Sequence, residues 1–288
     1  QEKLGSMFDK YQRIGRLVEP LGKLLGIGVG PTATAQEAAA VLKADLATQM
    51  VVEMTSLQGT MGREYALRSG FDPAVADAIY EHWLPRSADD QIPKTDAGTL
   101  LALADRLDSL TGLFAVGLAP QSTADPYGLR RAALGIIQIL IQNQLSVDLR
   151  AAVALVAEAQ PVPVSAEVQT QIVEFIGGRL RSWLEDQAYP ADVLTAVLAA
   201  QSANPARAVA GAKELTEWVS RPDWQPLLEA FARCVRITRA EAAQPRPDPA
   251  AFQEPEDARL YEVWPLTTAS LPDESNVGAF LTAFAPLQ

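Results

Sequence analysis

Histidine and cysteine are almost missing from these 288 residues: one of each, His82 and Cys234. A lone cysteine excludes any disulfide within the chain and fits a reducing compartment. A lone histidine allows at most one histidine-assisted nucleophile and denies the chain a multi-histidine metal site. No run of about 18 apolar residues occurs, so no membrane span is expected. Residues 1–25 mix charges with apolar positions and do not read as a signal peptide. Long β-branched runs are also scarce, which argues against sheet. There is no phosphate-binding glycine loop, no G-x-S-x-G motif and no internal repeat. Positive charge is in deficit, with 24 Lys and Arg against 35 Asp and Glu and a net charge of −11. Such a field repels nucleic acid at long range, so any contact of that kind needs local basic patches.

What the chain does have is alanine, leucine and helix punctuation. The expected fold is all-α, with one large or two modest domains. A first helix is expected over Ser6–Leu25, a loop over Gly26–Thr34, and a second helix over Ala35–Leu57. In that second helix Leu42, Leu46, Met50 and Met54 would share one face. Gln58-Gly59 breaks it, and a third helix follows over Thr60–Ser69. Asp72-Pro73 and Asp125-Pro126 read as helix starts, as do Thr95 or Asp96, Asp148, Tyr189-Pro190 and Asn204-Pro205. Leu100, Leu103, Leu107 and Leu110 should face a core. LRRAALGIIQILIQ, from Leu129, should be deeply buried. Trp218, Trp224 and Phe231 are expected as anchors, and the Pro-rich stretch 242–257 as an exposed connector. The expected domain cut is at 145/146, giving segments 1–145 and 146–288.

One stretch is more specific. KADLATQMVVEMTSLQGTMGREYA, Lys43 to Ala66, embeds Lys43, Asp45, Glu53, Gln58 and Arg63 among apolar positions; taken alone it reads as two amphipathic core helices. It is followed in order by AIYEHWLPR, ALADRLDSLTG and DPYGLRRAALG, and preceded by LGSMFDKYQRI. In order and spacing these blocks resemble the beta subunit of bacterial heterotetrameric glycyl-tRNA synthetase. GGRLRSWLEDQAYPADVLTAVLA at Gly177 extends the likeness. Since the chain starts with Gln1, the resemblance implies an excised C-terminal portion of a longer subunit: an HD-like helical domain, then a helical tRNA- and anticodon-binding region. It implies a cytoplasmic protein partnered by tRNA for glycine and by the alpha subunit. The alpha subunit would supply ATP and magnesium, leaving no cofactor in this chain.

The KAD, EH and ADRLDSL segments also resemble the HD superfamily of metal-dependent phosphohydrolases. Carried over residue by residue, Asp45 takes the Asp of the His-Asp doublet, Ala44 stands where its His belongs, His82 matches a helix-borne histidine and Asp105 the final Asp. With the histidines gone, the expectation is a degenerate site: no metal, no catalytic residue, and Asp45 and Asp105 tied to neighbours such as Lys43 or Arg106. Asp105 and Asp108, at i and i+3, are a possible carboxylate pair but read as a solvated or Arg-paired face, and His82 as a packing histidine.

The candidate nucleic-acid contacts are arginines: Arg130-Arg131 near a helix start, Arg179 and Arg181 after Gly177-Gly178, and the stripe Arg233, Arg236, Arg239. Read as residues alone, each cluster could equally pair with local acids, such as Glu185 and Asp186 or Glu229 and Glu241. The resemblance turns the last stripe toward tRNA, with Phe231 and Val235 expected to pack inward. Three readings stand open: the tRNA-positioning part of a synthetase subunit, an HD-type nucleotide phosphohydrolase, or a purely structural helical scaffold.

Overall fold

The computed structural model describes residues 2–120, 125–238, 248–269 and 282. Among these the fold is all-α, with thirteen α-helices, four short 3-10 turns and no strand. No described helix is long and apolar enough to cross a membrane. The chain divides into two compact units: Gln1–Gln187 with Leu198–Ala206, and Ala188–Val197 with Arg207–Gln288. The expected cut at 145/146 falls within the first unit.

The first unit is built around one helix. Thr95 caps it through its hydroxyl, which accepts from Gly98 N, and it runs as α6 once the preceding helices are placed. Those are α1 (Met7–Leu25), α2 (Val29–Ala40), α3 (Gln49–Glu53), α4 (Thr60–Arg68) and α5 (Pro73–Glu81), before α6 itself (Asp96–Ala115). Next come α7 (Leu129–Gln142), α8 (Leu149–Glu158) and α9 (Ala166–Asp186). Helices α1, α2, α5, α7, α8 and α9 all pack on α6. Leu100, Leu101, Leu103, Leu107 and Leu110 are each at most 3% exposed, so α6 is buried on most sides, and its Arg106 and Asp108 are buried with them. α7 is buried along Ile136, Ile137, Ile139 and Leu140, as its sequence required.

The capping chemistry is largely local. Ser6 and Asp9 close a reciprocal box at the start of α1: Ser6 Oγ accepts from Asp9 N, and Asp9 Oδ2 accepts from Ser6 N. Asp72 and Asp148 cap α5 and α8. Asp125 serves α7 from a distance. Its carboxylate takes Leu129 N and Arg130 N, each at 2.8 Å, so the helix starts three residues later than the Asp-Pro signal suggests.

Two expectations fail between residues 26 and 57. Gly26–Thr34 is not a loop, because α2 begins at Val29. Gly30 and Pro31 fall in its first turn, where backbone N–H groups lack intrahelical partners anyway and Pro loses nothing. Nor is Ala35–Leu57 one helix. It breaks after Ala40: Lys43 adopts a left-handed conformation (φ 60°), and short turns surround α3. Thr48 Oγ1 donates to Asp45 O at 2.7 Å, and the Asp45 carboxylate leaves for Gly59 and Gly62, so local polar bonds compete with the helical ladder. Leu42 stays in the core, but Met50 and Met54 are about half exposed (45% and 54%).

In the second unit, α10 (Ala191–Gln201) and α11 (Pro205–Val219) are shared with the first by the division. They are followed by α12 (Trp224–Thr238) and α13 (Pro255–Ala269). Val193, Leu194, Ala208, Ala212, Trp218 and Leu227 are buried. Phe231 and Val235 do not pack inward as expected: both are exposed, at 47% and 39%. Leu227, one turn before Phe231 on the same face, is buried, so the cover over that face of α12 ends between residues 227 and 231.

Candidate functional site

The densest polar chemistry lies inside the first unit, between α1 and α6. Lys10 and Arg13 sit one turn into α1 at i and i+3, and Asp105 and Asp108 face them from α6 with the same spacing. Arg13 holds Asp108 with two bonds, Nε to Oδ1 at 2.8 Å and Nη2 to Oδ2 at 3.2 Å. Its remaining nitrogen donates to Leu4 O at 2.8 Å. Gln160, just after α8, donates to Asp108 Oδ1 at 3.0 Å. Lys10 Nζ lies 3.0 Å from Asp105 Oδ1 and 3.1 Å from Asp108 Oδ2, and bonds Ser109 Oγ at 2.7 Å.

Lys43 enters the same cluster from the broken segment. Its left-handed backbone sends the side chain inward, where it is 4% exposed. Nζ lies 2.9 Å from Asp105 Oδ2 and 3.1 Å from His82 Nε2, and 3.6 Å above the centroid of the Trp83 ring. His82 is fully buried, and its Nδ1 faces Ile79 O. A carbonyl can only accept and an ammonium can only donate, so the imidazole is neutral, with its proton on Nδ1 and its Nε2 lone pair turned to Lys43.

Electrostatics agree with that assignment. Burial, reinforced by the Lys43 charge, pushes His82 well below its ordinary pKa. Burial resists ionisation of Asp105, but the ammonium groups of Lys10 and Lys43 outweigh it and hold the carboxyl far below the usual range. Asp108 is also depressed, as Lys10 and Arg13 overcome its burial. Lys43 is pulled down by burial against the attraction of Asp105, while Lys10, with two carboxylates, ends raised despite its own burial.

Beside the cluster Arg106 does a different job. Burial lowers its pKa to about 10, which leaves it charged at neutral pH. Its guanidinium donates to the carbonyls of Ala102, His82, Trp83 and Pro85 at 2.9–3.1 Å, tying down the chain after α5. Gly135 on α7 makes room for it, since a Cβ there would lie 2.6 Å from Arg106 Nε. Gly59 does the same for Trp83: its φ is +78° and any Cβ would collide with the indole.

These contacts limit what the cluster can do. The lone pair of His82 is spent, and both oxygens of Asp105 face ammonium groups. No free general base remains among them. His82 Nε2 and Asp105 Oδ2 do converge on one point, as metal donors would, but that point holds the Lys43 ammonium. The residues therefore do not fit a divalent metal: two donors are too few and the cation is already there. Among the described residues no group of three or more His, Cys, Asp or Glu is gathered to hold one. A cleft of about 330 Å3 opens beside the cluster, lined by Met7, Lys10, Lys43, Trp83, Asp105 and Tyr127 among others.

Of the four positions carried over from the metal-binding superfamily, His82 and Asp105 meet through Lys43, Ala44 is exposed, and Asp45 is bound elsewhere by Gly59 N and Gly62 N. Asp105 pairs with Lys43 as expected, but Arg106 forms no bond to either aspartate; its donors go to backbone carbonyls. The Asp105–Asp108 face is ion-paired rather than solvated: Asp108 is buried against Arg13 as that reading allowed, while half-buried Asp105 pairs with Lys10 and Lys43. Lys10 and Arg13 escaped the sequence reading, although their i, i+3 spacing beside Ile14 and Leu17 was a usable signal for buried cations.

The arginines lie elsewhere. Arg130 and Arg131 are in the first turn of α7, the latter exposed; Arg130 has interaction partners of its own. On α9, Arg181 is exposed and Arg179 half-buried, its Nε lacking a partner among the described residues. Arg233 and Arg236 are exposed on α12, and Arg236 Nε donates to Ala232 O at 3.2 Å. Arg239 and Glu241 fall outside the described residues.

Comparison with known proteins decides the family. The model of the glycyl-tRNA synthetase beta subunit matches residues 1–199. The chain belongs to the glycyl-tRNA synthetase beta subunit family. It is 38% identical to the glycine–tRNA ligase beta subunit of Geobacter sulfurreducens, over 98% of this chain and 41% of that protein. It is 40% identical to the Desulforudis audaxviator beta subunit, over 92% of this chain and 39% of the relative. The Arabidopsis thaliana glycine–tRNA ligase, chloroplastic/mitochondrial 2, is 38% identical over 99% of this chain and 27% of its own length. The chain thus spans well under half of these relatives.

Proposed function

We propose that this chain is a non-catalytic, tRNA-contacting part of a glycyl-tRNA synthetase beta subunit, working in the cytoplasm. In this reading it positions tRNA for glycine attachment by the alpha subunit, which supplies the ATP and magnesium chemistry. The observation that carries the non-catalytic half is the Lys43 ammonium, seated where His82 and Asp105 converge. It leaves a nucleotide phosphohydrolase without a free base or a metal position. Membership of the family supports the role in glycyl-tRNA synthesis. Exposed arginines support the RNA half: Arg181, Arg233 and Arg236 make no ion pair among the described residues, so their guanidinium groups are available to phosphates.

The test uses the assembled enzyme with its alpha subunit. Arg233, Arg236 and Arg239 are changed together to Glu. Expected are weaker tRNA binding and unchanged glycine activation measured without tRNA, because that chemistry lies on the other subunit. Unaltered tRNA affinity in a well-folded variant would hand the role to a purely structural scaffold.

A further inference from the structure

A second cavity, of about 340 Å3, lies between the 41–48 segment, α4 and α5. Ala44, Tyr65 and Ser69 stand at its exposed rim, while Asp45, Ala66 and Ile79 line it as buried residues. Among the described residues no lysine, arginine or histidine lines it. Asp45 is 2% exposed. Its Oδ2 accepts from Gly59 N at 2.6 Å and from Gly62 N at 3.2 Å, which pins the carboxylate plane. Its Oδ1 is buried with no protein donor among the described residues. A buried acceptor in that state favours any group that brings it an N–H.

The class of donor follows from the walls. Apart from Asp45 and the hydroxyl-bearing residues they are apolar, so an ammonium would give up its hydration for a carboxylate already partly neutralised by two N–H groups. A neutral amino group on a flat ring loses far less, and its ring can lie against Tyr65 and Phe71, both of which line the cavity. Pockets of roughly this volume hold small ligands. We infer that this cavity takes the exocyclic amino group of an unpaired nucleobase, with Asp45 as the acceptor. The inference rests on the reading that the chain contacts tRNA, and gives that contact one site that senses base identity.

Free cytidine and 3-methyluridine test it: the first carries an amino group beside a bare N3, the second a carbonyl beside a methylated N3, so only the cytosine base can donate. Each is titrated onto the whole chain and followed by ligand-observed NMR. Cytidine is expected to bind roughly tenfold more tightly than 3-methyluridine, the worth of one satisfied rather than frustrated hydrogen bond. In Asp45→Asn the amide oxygen keeps the two backbone donors and the NH2 takes the place of Oδ1. The acceptor becomes a donor and the preference should reverse toward 3-methyluridine. Tyr65→Ala, at the exposed rim, should weaken both nucleosides several-fold and leave their ratio intact, and it serves if D45N fails to fold. Equal binding of the two nucleosides, no binding of either, or Tyr65→Ala without effect would overturn the inference. So would a preference for cytidine retained in folded D45N, or displacement of cytidine by butylammonium at equal concentration. The arginine variants keep the two readings apart: tRNA binding lost in them with no nucleoside discrimination sinks this cavity alone, and discrimination with arginine-independent tRNA binding sinks the arginine surface alone.

Discussion

The cluster between α1 and α6 and the exposed edge of α12 are written in the same letters. Each spaces charged residues three apart on a helix: Lys10 and Arg13 against Asp105 and Asp108 in one, Arg233 and Arg236 in the other. In the first, every charge is matched, with Arg13 and Asp108 buried and Lys10 and Asp105 half-buried. In the second, the guanidinium groups are exposed, with no ion pair among the described residues. Spacing alone does not say whether a cationic stripe serves the fold or a partner; burial does. The first set fixes α1 and the 43 segment to α6, and the exposed set has no such packing role among the described residues.

That contrast sets the size of mutational effects. Asp108→Ala should be the most damaging change, because it strands Arg13 and part of Lys10 in the interior. Losing one partner of a buried pair costs about 3–5 kcal/mol, read as a fall in the denaturant unfolding midpoint. Gly135→Ala should follow, at about 1–3 kcal/mol, since its methyl group must displace the Arg106 guanidinium from its carbonyls. Arg181→Ala, exposed on α9, should stay within about 0.5 kcal/mol of wild type. Equal losses at Asp108 and Arg181 would erase the distinction between the regions.

Acid should act on the buried cluster in two stages. The folded pKa of His82 lies below its unfolded value of about 6.5, so below that pH the unfolded chain takes up a proton that the folded chain refuses. Stability should therefore begin to fall as pH drops through about 6.5, by up to about 1.4 kcal/mol per pH unit for this one proton. Asp105 and Asp108 have depressed folded pKa values. Their contribution is complete above the unfolded carboxylate value of about 3.9 and is lost as pH falls from there through the folded values. Unfolding free energies collected from pH 7 to 3 check this. Their dependence should gain the slope of up to two further protons only in the lower range, and the exposed arginines should add nothing to either stage.

Much of the fold was legible because its signals are local. Asp72, Thr95 and Asp148 cap where their sequences say, and the leucines of α6 and the isoleucines of α7 are as buried as their patterns require. The 41–57 stretch was not, because its helical periodicity is overridden by bonds that reach Gly59 and Gly62 and by an inward turn at Lys43. Most of the cluster was visible: Lys43, His82, Asp105 and Asp108 could be named from the sequence, and Lys10 and Arg13 were missed. Their meeting point could not, since Lys10 lies 95 residues from Asp105 and only the packing of α1 on α6 joins them. Phe231 and Val235 went astray for the same reason. An apolar residue at helical spacing gives no direction until the neighbouring helices are known.

The most direct test is the salt dependence of tRNA binding by the assembled enzyme, wild type against the Arg233, Arg236 and Arg239 triple Glu variant. If these side chains meet phosphates, each lost contact removes about 0.7–0.9 from the slope of log affinity against log salt. The account predicts a visibly flatter line and weaker binding, with the unfolding midpoint of the chain nearly unmoved. A folded variant whose slope and affinity match wild type would contradict it and leave α12 with a solvated face rather than an RNA contact.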